Sequence, residues 1–305
     1  MRAVGRRGLA AVAVGVLVAL AAVLSGCGGS EAAPDVVATT VQIGALTRAV
    51  AGDALDVRTL IGPGVDPHDY EASADDIKRI GAARVVLRNG LGLDAFLDRT
   101  IKGAGADTVV TVTDGIAVRH ADEADGGPGS EDPHVWHDPL NDKIIVDNIV
   151  RALSSAFPEQ AATFEANGDA YKRILDETDA SIRALIDSIP PANRKMVTNH
   201  DAFGYFIDRY GLTYVGAVIP GVSTQGEASS KQTAALEDTI RREGVKAIFA
   251  ESSLNPKVAK QIAADTHVAI VDDLYGDSLG GPGSDAATVH GMLLANATKI
   301  ANALK

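Results

Sequence analysis

Three histidines in this 305-residue chain stand where a turn alone has no need of an imidazole. His68 sits in Asp66-Pro67-His68-Asp69-Tyr70, and the same Asp-Pro-His order returns 66 residues later as Asp132-Pro133-His134, followed by Val135-Trp136. His200 follows a β-type run and precedes Asp201-Ala202-Phe203. Proline restricts the backbone around it, so the two proline turns pre-set where their imidazoles point. Three imidazoles aimed from rigid turns suit a borderline transition metal, for which neutral nitrogen is a preferred donor. A closed site needs a fourth donor, and a carboxylate would offset part of the ion's charge. Asp277, Asp272, Asp273 and Glu251 all lie at or after β-type runs and compete for that place. The donors are too far apart for a local HxxxH motif, so position in the fold must bring them together.

Short β-type runs alternate with helical patterns along the chain. Residues 36–40, 55–61, 84–87 and 108–113 read as strands, with helices over 42–51, 73–83 and 93–102. Ser73, followed by Asp75 and Asp76, is an N-cap with acids in the first turn. A helix at 141–156 is followed by one long helix at 158–189, interrupted only by a tolerable Gly168 and ended by Pro190-Pro191. Strands then resume at 195–198, 213–218, 245–250 and 268–271, and a last helix covers 284–304. This alternation predicts an α/β protein with mainly parallel sheets covered by helices. The layout it implies is two Rossmann-like lobes, 36–157 and 191–305, joined by one long connecting helix at 158–190. Loops at the carboxyl ends of parallel strands bind ligands, and the three histidines fall in such loops or in the proline turns. No Walker or GxGxxG loop is present.

The N-terminus addresses the compartment. Arg2, Arg6 and Arg7 surround the start of a 16-residue apolar run at 9–24, which is short for a spanning helix and fits a secretory h-region. The run ends in Leu24-Ser25-Gly26-Cys27, which resembles the lipobox of bacterial lipoproteins. Residues 1–26 thus read as a signal peptide, Cys27 as the lipidation site and 27–35 as a flexible tether. Cys27 is the only cysteine, so an internal disulfide is excluded. Removing 1–26 takes away three arginines and no acid, leaving 25 Lys+Arg against 40 Asp+Glu, a formal charge of −15. That balance argues against nucleic acid as a partner and against a basic membrane-docking surface.

Five segments occur in a specific order: Asp66-Pro67-His68-Asp69-Tyr70-Glu71, Asn89-Gly90-Leu91-Gly92-Leu93, Asp132-Pro133-His134-Val135-Trp136, His200-Asp201-Ala202-Phe203-Gly204-Tyr205-Phe206 and Asp277-Ser278-Leu279. Together they resemble the zinc/manganese solute-binding proteins of ABC importers, over essentially the whole chain from Val36 onward. The resemblance implies two α/β lobes joined by a long helix with the metal between them. It carries the metal ligands onto His68, His134, His200 and Asp277. It implies an exported, lipid-anchored, monomeric, non-enzymatic protein that captures a metal and delivers it to a permease. Three imidazoles and one carboxylate favour Zn2+, with Mn2+ as the alternative because manganese prefers more oxygen donors. A surface adhesin and a zinc hydrolase with an open water position are competing classes, and no HExxH motif supports the latter.

His120 to Glu131 (HADEADGGPGSE) is acidic and glycine-rich, and directly precedes the His134 turn. It reads either as an ordinary flexible loop or as an accessory metal-gathering one, through His120, Asp122, Glu123 and Asp125. His137 reads as a surface turn residue or as an accessory ligand. His267 and His290 read as surface or packing residues.

Overall fold

The strands of this chain are short and largely apolar on both faces, as parallel strands between helices must be. The structure, a computed structural model, describes residues 33–106, 108–121 and 130–305. Val36–Ala38 (β1), Val57–Thr59 (β2), Val85–Arg88 (β3) and Val109–Thr111 (β4) form a parallel sheet in the order β2-β1-β3-β4. Lys195–Thr198 (β5), Thr213–Ala217 (β6), Ala247–Glu251 (β7) and Ala269–Leu274 (β8) form a second, ordered β6-β5-β7-β8. In each sheet the chain steps outward once and then crosses back. The strand order therefore reverses between β1 and β3, and again between β5 and β7. Such switch points open crevices at the carboxyl ends of the strands.

Nine α-helices are described: Val41–Ala51 (α1), Ala74–Ala82 (α2), Asp98–Ala104 (α3), Pro139–Ala156 (α4), Ala161–Asp187 (α5), Gly204–Tyr210 (α6), Ser230–Glu243 (α7), Lys257–Thr266 (α8) and Val289–Leu304 (α9). Strand alternation sorts the core into layers. Val36, Ala38, Val85 and Leu87 face a core shared with α1, α4 and α5. Val37 and Val86 face Ile80 of α2 and Ile101 of α3. In the second sheet Met196, Ala247 and Phe249 join the shared core, while Val197, Ile248 and Ala250 pack with Ile240 of α7 and Ile262 of α8. The two lobes thus lean on one helical layer, and residues 34–305 form one compact unit. The last helix, α9, lies within that layer against α5 and α1, with the Leu304 carbonyl accepting from Asn193 Nδ2 at 2.9 Å.

Several boundaries differ from expectation. The helix expected from Leu93 begins at Asp98, after a 3-10 turn at Ala95–Leu97. The last helix starts at Val289, where the Thr288 hydroxyl accepts from the Gly291 amide. Ser73 caps α2 in a full capping box with Asp76. Gly168 is more than a tolerated break in α5: a Cβ there would come 2.6 Å from Val150 Cγ2 of α4, so the missing side chain lets the helices approach. Among the described residues no helix is long and apolar enough to cross a membrane. Cys27, Asp122, Glu123 and Asp125 lie outside the described residues.

Candidate metal centre

The repeated Asp-Pro-His has one local cause. In both turns the aspartate side chain accepts the amide of the histidine two residues on, Asp66 Oδ1 from His68 N at 2.9 Å and Asp132 Oδ1 from His134 N at 3.0 Å. These are Asx turns stiffened by proline, and each holds one imidazole in a set direction. His68 comes from the loop after β2, His134 from the long connection after β4, His200 from the loop after β5 and Asp277 from the loop after β8.

The fold brings these four side chains to one point. One donor atom from each lies within 4.8 Å of all the others. His134 Nε2 and His200 Nε2 are 3.3 Å apart. Asp277 Oδ1 is 3.2 Å from His134 Nε2, while Oδ2 is 3.2 Å from His200 Nε2 and 3.5 Å from His68 Nε2. Tetrahedral donors about 2.0–2.1 Å from zinc sit about 3.3 Å from one another, and the contacts of 3.2–3.5 Å above, which engage both Asp277 oxygens, lie near that length. His68 Nε2 is buried without a hydrogen-bond partner, and the buried Asp277 oxygens meet only the imidazoles, an arrangement a cation at the centre would satisfy.

The surrounding groups fix which nitrogen faces inward. His134 Nδ1 is 2.7 Å from Asp132 Oδ1, and His200 Nδ1 is 2.7 Å from Glu251 Oε1. A carboxylate behind Nδ1 keeps the proton there and leaves the Nε2 lone pair for the centre. Glu251 also accepts the Asp277 amide on Oε2 at 3.0 Å, so one carboxylate orients two donors. The lobes interlock around them. Ser278 Oγ accepts from Gly64 N at 2.6 Å, Trp136 Nε1 donates to the Gly276 carbonyl at 3.0 Å, and Gln225 Nε2 donates to the His68 carbonyl at 2.7 Å.

Burial lowers the pKa of each imidazole, and carboxylates reverse this for two of them. His134 is held up to about 9 because the Asp277 charge and the hydrogen bonds to Asp132 and Asp277 outweigh burial. His200 is raised well above its ordinary value, burial being outweighed by Glu251 and Asp277. His68 has Asp277 as a counterweight but no carboxylate behind its ring, and burial leaves it at about 4. Asp277 resists burial through His200 and His134, and its pKa falls well below the carboxylate range.

Other candidates fall elsewhere. Asp272 pairs with Lys260 at 2.6 Å and Asp273 with Lys299 at 2.8 Å, because β8 extends to Leu274 and places both acids within the strand. Glu251 ends β7 and stands behind His200 rather than among the four donors. His120 pairs with Glu131 in an isolated antiparallel bridge, apart from the four donors. His137 is corrected from a surface residue to a fully buried one, packed against Phe203 and Trp136. Its ring nitrogens have no hydrogen-bond partner; the Gly276 carbonyl bears on the ring but takes its bond from Trp136. Burial, then the nearby His134, pushes His137 down to about 3. His267 ends α8 in the left-handed region, and His290 touches the Tyr171 hydroxyl. Asp132 was not foreseen as the group that holds His134 from behind, nor Arg119 as the cation that reaches Asp132 from outside the centre. Only Asp132 carried a signal, in its repeated place before proline and histidine.

The family model for ZnuA, the periplasmic component A of a zinc-uptake complex, matches residues 36–303. The manganese-binding lipoprotein MntA of Bacillus subtilis is 34% identical over 294 residues, covering 92% of this chain and 95% of that protein. The zinc-binding protein TroA of Treponema pallidum is 34% identical over 290 residues, covering 91% and 92%. The solved structure of the periplasmic zinc-binding protein TroA matches with a TM-score of 0.82, covering 89% of this chain and 99% of that one at 34% identity. A Mn-bound periplasmic metal-binding protein of Candidatus Liberibacter asiaticus matches at 0.80, with 28% identity and 88% and 99% coverage.

Proposed function

Because the chain belongs to the ZnuA family of periplasmic metal-uptake components, we propose that it captures one zinc ion on His68, His134, His200 and Asp277 and hands it to an ABC permease. The chain is an extracytoplasmic solute-binding protein of metal transport and not an enzyme. One observation carries the choice of zinc: three imidazole nitrogens and a carboxylate oxygen meet within 4.8 Å of one another, two of the imidazoles being held from behind by carboxylates. With Asp277 in the fourth position no place is left for an attacking water, which disfavours a hydrolase. The reading also has the protein act as a monomer, tethered to the outer face of the cell membrane by a lipid on Cys27.

Manganese is the second reading, and a specific observation favours it. Both Asp277 oxygens face the imidazoles, Oδ1 towards His134 and Oδ2 towards His200 and His68. A bidentate carboxylate would give the fifth donor that a harder, more oxygen-seeking ion accepts. Elemental analysis of purified protein, followed by zinc–manganese competition, tests the choice. One zinc per chain is expected, displaced by manganese only in large excess, with binding strongly weakened in His200→Ala. Preferential retention of manganese would overturn the zinc reading. Unchanged zinc affinity in His200→Ala would remove the four-donor site.

A further inference from the structure

A partly buried cation links the two metal-facing loops from outside the centre. Arg119 lies after β4 in the first lobe. Its Nη1 is 3.1 Å from Asp132 Oδ2 and 3.1 Å from Asp201 Oδ2, and its Nε is 3.4 Å from Asp208 Oδ2. Asp132 and Asp201 are both fully buried. Asp132 belongs to the first lobe and backs His134, whereas Asp201 belongs to the second and follows His200 directly. The contacts thus run His134, Asp132, Arg119, Asp201, and through one peptide bond to His200. Tyr205 adds a parallel link, accepting the Arg119 amide at 2.9 Å and donating to the Asp132 carbonyl at 3.0 Å. The guanidinium lies directly on Gly204 at the start of α6, in space that any Cβ there would fill.

We propose that Arg119 is an inter-lobe latch, a positioning residue that holds the His134 and His200 loops together over the bound ion and so governs how long it stays. The proposal rests on the metal-capture reading above. Separating the lobes must break the Asp201 contact, together with that to Asp208, and leave the fully buried Asp201 carboxylate without its cation while Asp132 keeps it. An ion arriving at separated lobes meets its donors before those contacts form. The latch therefore acts on dissociation and leaves association nearly untouched. A merely structural role would change folding stability and would not split the two rates in this way.

The test is stopped-flow zinc association, and dissociation into excess chelator, for wild type, Arg119→Met, Asp201→Asn, the double variant and Arg119→Lys. Each single variant should release zinc about tenfold faster or more, as truncating a buried charge pair acts on the off-rate, with association changed less than about threefold. The double variant should be no faster than the faster single one, because both break one link. Arg119→Lys should recover part of the loss, since one ammonium can sit between two carboxylates. Gly204→Ala, which crowds the guanidinium without removing its charge, should also speed release. Asp201→Asn is isosteric and carries the test if Arg119→Met does not fold. Wild-type dissociation in Asp201→Asn, or full additivity in the double variant, would overturn the latch. A wild type that binds no zinc would instead sink the metal reading.

Discussion

Glu251→Gln isolates the carboxylate behind the proposed site without changing its shape. Glu251 uses both oxygens, Oε1 at 2.7 Å from His200 Nδ1 and Oε2 accepting the Asp277 amide at 3.0 Å. Glutamine offers one oxygen and one amino group, so one of these two N–H groups would face another donor. The charge is the larger loss. Adding the imidazole ring and a zinc–nitrogen bond of about 2.0 Å to the observed contact puts the ion about 7 Å from Glu251. At that distance one unit of charge is worth about 2.4 kcal/mol for an effective dielectric of about 20. The ion carries two such units, and part of that attraction is offset because Glu251 also favours a competing proton on His200. Removing the carboxylate should weaken zinc by about 10- to 100-fold at neutral pH, as is typical of groups that hold a ligand from behind. Competition against a chromophoric chelator measures this directly. An affinity within threefold of wild type would refute the electrostatic reasoning.

His137→Leu replaces two unpartnered buried nitrogens with an apolar side chain; thermal unfolding should show equal or greater stability, and calorimetry an unchanged zinc affinity, whereas a collapse of affinity would make His137 a ligand after all. Gly168→Ala forces a Cβ to 2.6 Å from Val150 Cγ2 and should destabilise by about 1–3 kcal/mol through overpacking, leaving the zinc stoichiometry at one. His134 rises from an ordinary 6.5 to about 9, so the stability it confers on the metal-free fold is complete below about pH 6.5 and is lost as the pH climbs through 9. The melting temperature of metal-free protein should accordingly fall over that interval while zinc affinity rises; a flat affinity profile would show that no proton leaves His134.

Much of this was legible because the informative residues make local structure as well as the site. Asp66-Pro67-His68 and Asp132-Pro133-His134 announce stiff turns by themselves, and the capping box at Ser73 needs only its own four residues. Alternating short apolar runs disclosed two parallel sheets. What stayed hidden depends on contacts distant in sequence. Nothing local says that Arg119 meets Asp201, 82 residues away, or that Glu251 turns towards His200 rather than towards an ion. His137 misled because polarity and a proline turn suggest exposure, whereas Phe203 and Trp136, brought in by the fold, bury it. The start of the last helix was missed because Ser284 and Thr288 are both acceptable caps, and tertiary packing chose Thr288.

The same carboxylates that tighten the site also decide what zinc must displace. Asp277 and Asp132 raise the pKa of His134 to about 9, Glu251 and Asp277 raise that of His200 well above its ordinary value, and burial lowers that of His68 to about 4. A divalent ion entering the proposed centre must displace any proton that the two raised imidazoles hold on the nitrogens facing it. With both imidazoles protonated, two imidazolium charges would leave as two metal charges arrive, and the buried charge would stay the same. Burying an uncompensated charge is among the costliest events in a folded protein, and this exchange avoids it in both directions. The lobes can then close over protons or over zinc with comparable electrostatic cost. An enzyme would gain nothing from that balance. A carrier that must bind, travel and empty without unfolding gains a site whose two states are both tolerable to the fold.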